Sequence, residues 1–327
     1  MKLFLTEPYR WKVRDIDLRP TYRCNAKCPT CGSWKRKSPD LSYNQAMQIS
    51  DNFRGLRKMI IEGGEPTLWQ PLIPFINSLD VEETAVITNA IHTENIRAVC
   101  EQSTPDKMRW VISLNGIGKT HDFMRGHKGA FYKLVRSCDI MKEHGYDMRF
   151  QFVCVAENIH ELQDVKDFIK AEYGREYINI SYPSSAGIYG ENIKCTYLDN
   201  KQMRSVLMSE EWSLSRSSLL NKIIHDIFTD KVSKKELIPC LYGRSKIHIR
   251  PDGLIQACQY DDSDAMQFGI VYDNRVVIYQ HRRKDICKNI IPKCQYKTGS
   301  LCSHEAMEYS IRHNLKYLLE ELWKRLT

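Results

Sequence analysis

The sequence predicts an α/β chain: an open, partial (β/α)6 TIM-like barrel followed by a C-terminal extension. Three observations carry this. Six short apolar runs, at 13–18, 58–61, 84–87, 108–114, 148–155 and 177–181, read as strands. Stretches with helical period lie between them, and such alternation implies parallel βα units with right-handed crossovers. Six units are too few to close an eight-stranded barrel, so the sheet stays open. In sheets of this kind the functional site lies at the C-terminal ends of the strands.

The first helix is the best marked. Ser42 with Gln45 three residues on reads as a capping box, Ala46, Ile49 and Phe53 make one face, and Gly55 ends the run. Further helices are expected over 71–79, 93–101, 128–144 and 160–173. After Tyr182 the character changes: 183–190 is loop-like, 198–228 is mostly helical, and 240–302 holds short strands and five Cys. Ile247 and Ile249 before Pro251-Asp252-Gly253, with Leu254 and Ile255 after it, read as a hairpin with a tight turn. Met307, Ile311, Leu315, Leu318, Leu322 and Leu326 form the stripe of a closing amphipathic helix. The expected organisation is a barrel core over 1–200, then a helical bridge, a Cys-rich unit and the closing helix over 201–327.

Of the 327 residues, 42% are apolar and 27% charged, which excludes a disordered chain. There is no apolar run of the roughly 18 residues that a spanning helix needs. Glu7 and Arg10 interrupt the stretch a signal peptide would require, so a cytoplasmic location is expected, without membrane partners. Twelve Cys in such a chain point to metal or redox chemistry rather than disulfides. The net charge of +8 includes two dense basic runs, Trp34-Lys35-Arg36-Lys37 and His281-Arg282-Arg283-Lys284. A solvated surface or the attraction of an anionic partner accounts for either run. Without interleaved aromatics along them, nucleic acid is not an expected partner.

The first predicted strand leads into Cys24-Asn25-Ala26-Lys27-Cys28-Pro29-Thr30-Cys31. Three thiolates within eight residues, with no fourth Cys close by, can hold three irons of a [4Fe–4S] cube and leave one iron open. A zinc site is the alternative. One βα unit later comes Glu62-Gly63-Gly64-Glu65-Pro66, where paired glycines allow close backbone approach and a carboxylate can accept from an ammonium. Together the two motifs resemble the cluster loop and methionine clamp of the radical SAM superfamily. Ile87-Thr88-Asn89-Ala90 resembles the family's Thr-Asn-Gly, with Ala90 a departure. Ser113-Leu114-Asn115-Gly116 is similar to its Ser-Leu-Asp-Gly, and His121-Asp122-Phe123-Met124-Arg125-Gly126 to a segment of members that carry C-terminal clusters.

The resemblance implies S-adenosylmethionine (SAM) bound through its amino and carboxylate groups to the open iron. Gly63, Gly64 and Glu65 would meet the amino group, Ser113 the ribose and Arg125 the carboxylate, with Asn89 also in the cofactor site. A surface ion pair is the alternative for Arg125. Thr30, where the family often has an aromatic residue, leaves adenine packing to another side chain. The reduced cluster would cleave SAM to methionine and a 5′-deoxyadenosyl radical, with an external one-electron reductant such as flavodoxin or ferredoxin.

The distal set, Cys240, Cys258, Cys287, Cys294 and Cys302, resembles the SPASM/Twitch extension, which binds auxiliary [4Fe–4S] clusters. The seven Cys and the Cys-x2-Cys pair of full SPASM are missing, so one auxiliary cluster is expected. Cys240 and Cys258 are the firm ligands, two of Cys287, Cys294 and Cys302 complete the set, and Cys294 and Cys302 are slightly preferred. Structural zinc is again the alternative. Cys100, Cys138 and Cys154 read as buried apolar residues. Cys195, after the sixth strand, is either a loop thiol or a hydrogen donor above the barrel mouth.

The resulting expectation is a radical SAM enzyme acting on a small, sugar-like molecule or a peptide, with oxidation favoured over thiol-assisted epimerisation and peptide crosslinking. A first strand near residue 13 leaves no room for a preceding leader-binding domain, which favours a small or separately presented substrate. A non-catalytic zinc-stabilised binding protein is the reading from another class.

Overall fold

Strand β1 (Asp15–Leu18) is paired on both edges, and the architecture follows from that. The computed structural model describes residues 12–175, 178–181, 183, 194–198, 242–259 and 263–291. On one side of β1 stand β2 (Lys58–Ile61), β3 (Glu83–Thr88), β4 (Arg109–Ser113), β5 (Met148–Val153) and β6 (Ile178–Ser181), each parallel to its neighbour. The expected six-stranded partial barrel is present, with strand bounds within two residues of the sequence reading.

On the other side of β1 lies β7 (Lys246–Ile249), also parallel, and an antiparallel meander of β8 (Leu254–Gln256), β9 (Gln267–Tyr272) and β10 (Arg275–Ile278) follows it. All ten strands among the described residues form one sheet. The C-terminal hairpin is therefore not a detached layer but a continuation of the barrel sheet. No local pattern announces a partner more than two hundred residues away.

The connecting helices are α1 (Tyr43–Asn52), α2 (Leu72–Ser78), α3 (Thr93–Gln102), α4 (Lys119–Arg125), α5 (Ala130–Glu143) and α6 (Leu162–Tyr173). The capping box of α1 is complete, with the Gln45 amide donating to Ser42 Oγ at 3.1 Å and the Ser42 amide to Gln45 Oε1 at 2.9 Å. The helix expected over 128–144 is preceded by α4, which the sequence reading did not separate. Gly126 and Gly129, both left-handed at φ 55° and 78°, break the chain between them.

Alternation along the strands sorts the two faces of the sheet. Ile16, Leu18, Met59, Ile61, Val86, Ile112 and Phe150 face the helices and join Ile49, Phe75, Ile96, Leu134 and Val165 in one apolar core. Cys100, Cys138 and Cys154 are buried in that core, as expected. The opposite register is polar. At the start of the strands, Glu83 takes Lys58 at 2.9 Å and Arg109 at 3.5 Å, and Asp147 takes Arg175 at 2.7 Å. Between β1 and β7, Asp17 and Lys246 form a buried pair at 3.0 Å. The starting ends of the strands are thus tied off by ion pairs, and the other ends carry the site.

No helix among the described residues is long and apolar enough to cross a membrane. The bridge over 201–241 and the closing helix from Ser303 lie outside the described residues.

Candidate functional site

The loop after β1 carries Cys24, Cys28 and Cys31, and each sulfur faces an N–H donor. The Ala26 amide points at Cys24 Sγ at 3.4 Å, the Ser33 amide at Cys31 Sγ at 3.4 Å, and Arg125 Nη1 at Cys28 Sγ at 3.5 Å. Such donors favour sulfur that carries negative charge. Without a metal the balance runs the other way. Burial, with the Glu65 carboxylate next, pushes the Cys24 thiol up to about 12. Burial and Cys28 push Cys31 up to about 11, which Arg19 and Arg125 partly offset. Metal binding at this loop must therefore expel protons.

The loop is fixed by backbone contact at three glycines. The Gly64 amide donates to Thr21 O at 2.9 Å and the Glu65 amide to Arg23 O at 2.8 Å. A Cβ on Gly64 would stand 2.2 Å from the Arg23 carbonyl oxygen, and one on Gly63 2.6 Å from that of Thr21. At the C-terminus of α4, the Lys27 amide donates to Arg125 O at 2.9 Å, and a Cβ on Gly126 would stand 2.4 Å from Lys27 O. Gly63 and Gly64 thus serve a close approach, as their sequence implied, and its visible partner is the cysteine loop itself.

Glu65, only 1% exposed, accepts four hydrogen bonds. Thr67 Oγ1 and Thr88 Oγ1 donate to Oε1 at 2.8 Å each, as does the Thr67 amide at 3.2 Å, and the Asn89 amide donates to Oε2 at 2.8 Å. Burial raises its pKa, and these donors hold it down. Its carboxylate thus locks the end of β2 to the end of β3. Asn89 turns to the loop as well, donating to Asn25 Oδ1 at 2.8 Å and accepting from the Ile91 amide at 2.9 Å. Ala90, where the resembling motif has glycine, is left-handed at φ 57°.

Arg125 is 7% exposed, which disposes of the surface ion-pair alternative. Its Nη2 donates to the Ser113 carbonyl at 2.9 Å while Nη1 stays on Cys28. Ser113 Oγ accepts from Gln151 at 2.8 Å. Beside them, the Asn115 amide donates to Nδ1 of His121, whose pKa lies well below the ordinary histidine value through burial and the Arg125 charge. Arg19, paired with Glu62 at 2.9 Å inside the sheet, was not singled out in the sequence, and Glu62 and His121 stood in its motifs without a role, because a buried polar contact depends on a partner that local pattern does not show.

Cys195 lies against the same loop: the Lys194 amide donates to Pro29 O at 2.8 Å. Its thiol is packed with Met124 and Val155 and pushed up to about 11, by burial first, then Glu157 and Cys28. It is 8% exposed and lies close enough to Glu157 and Cys28 to feel their charges.

In the distal set, Cys287 is fully buried, on a π turn (Ile286–Ile290) that continues α7 (Gln280–Asp285). It faces the Gly243 turn: a Cβ on Gly243 would lie 3.1 Å from Cys287 Sγ and 2.8 Å from Ala257 Cβ. Ala257 is the neighbour of Cys258, so the fold brings the segments of Cys258 and Cys287 together. Arg283 Nε donates to Gly243 O at 2.8 Å, and Arg244 Nη2 to Cys287 O at 3.0 Å. Cys240, Cys294 and Cys302 lie outside the described residues.

Three thiols with N–H donors, one of them an arginine, at the C-terminal ends of parallel strands fit the donor set of a three-thiolate cluster. The family model of the Radical SAM superfamily matches residues 18–169, from the end of β1 to α6. The chain carries a radical SAM domain. Two curated relatives are similar to the chain. Fe-coproporphyrin III synthase of Methanosarcina barkeri is 25% identical over 46% of this chain and 40% of its own length. The sporulation killing factor maturation protein SkfB of Bacillus subtilis is 24% identical over 75% of this chain and 60% of its own. The match thus spans less than two thirds of either relative. Among solved structures, anSMEcpe with bound AdoMet has a TM-score of 0.59 at 16% identity, covering 95% of this chain and 98% of that one. Streptococcus suis SuiB bound to its precursor peptide SuiA has a TM-score of 0.56 at 16% identity, over 76% of this chain and 60% of that one. Over those lengths the chain shares its fold with these proteins.

Proposed function

We propose that this chain is a radical SAM enzyme that takes a hydrogen atom from a C–H bond of a peptide, with oxidation as the favoured outcome. The grip of Gly63, Gly64 and Arg125 on the three-cysteine loop is the observation that carries the reading. Bound there, a reduced [4Fe–4S] cluster and SAM supply the radical chemistry. The chain's own residues orient and exclude. Cys24, Cys28 and Cys31 would hold the cluster, and Arg125, a buried positive charge beside Cys28, would bind the methionine carboxylate. Ser113 and the strand ends around Gly63, Gly64, Glu65 and Asn89 wall the cofactor, Glu65 and Asn89 acting through the loop they brace.

The peptide substrate rests on relatives. SkfB is named a maturation protein, SuiB is seen with a precursor peptide, and anSMEcpe is seen with the Kp18Cys peptide. This moves the preference from a sugar-like substrate to a peptide. For the auxiliary [4Fe–4S] cluster we take Cys258 and Cys287 together with Cys240 and one of Cys294 and Cys302. The contact of Cys287 with the Gly243 turn supports giving it precedence over the two later residues. An external one-electron donor, flavodoxin or ferredoxin, completes the system.

Anaerobic reconstitution tests this. A brown protein with about eight irons per chain is expected, four to each cube. Replacing Cys24, Cys28 and Cys31 together by Ala should leave about four and abolish conversion of SAM to 5′-deoxyadenosine. A colourless zinc protein, or unchanged iron in the triple variant, would overturn the proposal.

A further inference from the structure

The run Trp34-Lys35-Arg36-Lys37 finds no place in the site described so far. In its distal counterpart Arg283 is buried on Gly243 O and Arg282 donates to Asp264 O, while His281 and Lys284 are exposed. The first run lies beside the cysteine loop. Lys35 and Lys37 are exposed, and so is Lys27, between Cys24 and Cys28. Lys27 Nζ lies 5.9 Å and Lys35 Nζ 5.4 Å from the centre of the Trp34 ring, so two charges from the connection between β1 and α1 converge on one aromatic ring. Between Arg23 and Asp40 the chain holds five basic residues, and Asp40, the single acid, is already paired with Arg23.

An apolar element adjoins this patch. Phe123 on α4 is 51% exposed, an unusual state for a large apolar ring. It lies one helical turn before Gly126, whose virtual Cβ is 3.2 Å from Lys27 Cβ. Cys24 and Cys31, on the loop that Lys27 shares, are half-buried. Basic rim, exposed aromatic and cysteine loop therefore coincide on one small area of surface.

We propose that Lys27, Trp34, Lys35, Lys37 and Phe123 form the docking surface for a small acidic protein that delivers single electrons to the Cys24–Cys31 cluster. The inference rests on the cluster reading above and adds where the donor binds. Transient redox encounters bury little area and rely on charge steering, which suits a compact basic patch with one apolar anchor. The step is one electron out of the reduced carrier and one into the cluster, with no bond made or broken.

The test uses reconstituted full-length protein and an acidic flavodoxin. Stopped-flow bleaching of the cluster by reduced flavodoxin at low salt should slow at least tenfold in Lys27→Glu/Lys35→Glu, and bleaching by dithionite should not change. Calorimetric titration with oxidised flavodoxin should show the same loss of binding. The rate for the unaltered protein should fall with added salt, since the Debye length shrinks from about 30 Å at 0.01 M to about 8 Å at 0.15 M. Lys35→Glu/Phe123→Ala leaves the cysteine loop untouched and should slow flavodoxin reduction as well, which covers the case in which Lys27→Glu sheds its iron. Wild-type flavodoxin rates in Lys35→Glu/Phe123→Ala would overturn the proposal, as would an equal loss in a control Lys284→Glu/Lys288→Glu. A preparation without iron is recognised before any carrier is added, and sinks the enzyme reading instead.

Discussion

Around Cys24–Cys31 the holding is done by backbone: amides of Gly64, Glu65 and Lys27 donate into or out of the loop, and three glycines leave no room for a Cβ. Around Cys287 long side chains share the holding, Arg283 and Arg244 reaching between the segments of Gly243 and Cys287, where Gly243 too leaves little room for a Cβ. Backbone grips tolerate almost no change at the gripping residue, whereas side-chain grips fail one hydrogen bond at a time. The first site is therefore the more rigid and the second the more adjustable.

The largest expected effect breaks the first grip. Gly64→Ala must move the Arg23 carbonyl and should cost about 3 kcal/mol, together with the N-terminal half of the bound iron. Arg283→Lys should cost about 1 kcal/mol and leave the N-terminal cluster signal intact. Thermal unfolding and iron counts on the two variants measure the contrast. Equal damage would mean that the two sites are held alike.

Next comes affinity. Arg125→Ala removes a charge-assisted contact worth roughly 1.5–3 kcal/mol, so SAM should bind about tenfold more weakly or worse, with iron content retained. Equilibrium dialysis with SAM under anaerobic conditions reads this directly.

Acid stability sharpens the comparison further. His121 near the first site and His248 on β7 are both held neutral by burial, with pKa values well below the ordinary one. In the unfolded chain each takes up a proton near pH 6.5, so stability is full above that value. It should fall by about 1.4 kcal/mol per pH unit for each group as pH drops towards the folded values. Denaturant melts between pH 7.5 and 5.5 should show a single transition if the ten-stranded sheet unfolds as one, with the slope halved in His248→Phe. Two separate transitions would show that the regions are independent.

The smallest effect concerns Cys195. Packed against Met124 and Val155, it should be dispensable for outcome, so Cys195→Ala in D2O should leave product unlabelled at carbon. Deuterium on the product carbon that disappears in this variant would restore the thiol-donor route.

The parallel sheet, the capped first helix and the cysteine loop were legible because each leaves a local signature: alternation, a Ser-x-x-Gln pair, a fixed spacing. Gly63 and Gly64 were legible as a close approach but not as to what approaches. Glu65 and Asn89 read as cofactor contacts; their partners within the protein, Thr88 and Asn25, are chosen by the fold rather than by neighbours in sequence. The pairing of β7 with β1, and the contact of Cys287 with Gly243, bring together residues that no local window contains.

That pairing also sets an order of events during synthesis. Asp15 meets Lys58 early, but it meets Lys246 only 231 residues after its own addition. At roughly 5–20 residues per second on the ribosome, β1 waits on the order of 10–50 s with one edge bare. The cysteine loop springs from the end of that strand. The grips on that loop, from Gly63 to Gly126, are complete well before β7 emerges, so the nascent chain can close its thiol loop while the strand beneath it still has a bare edge.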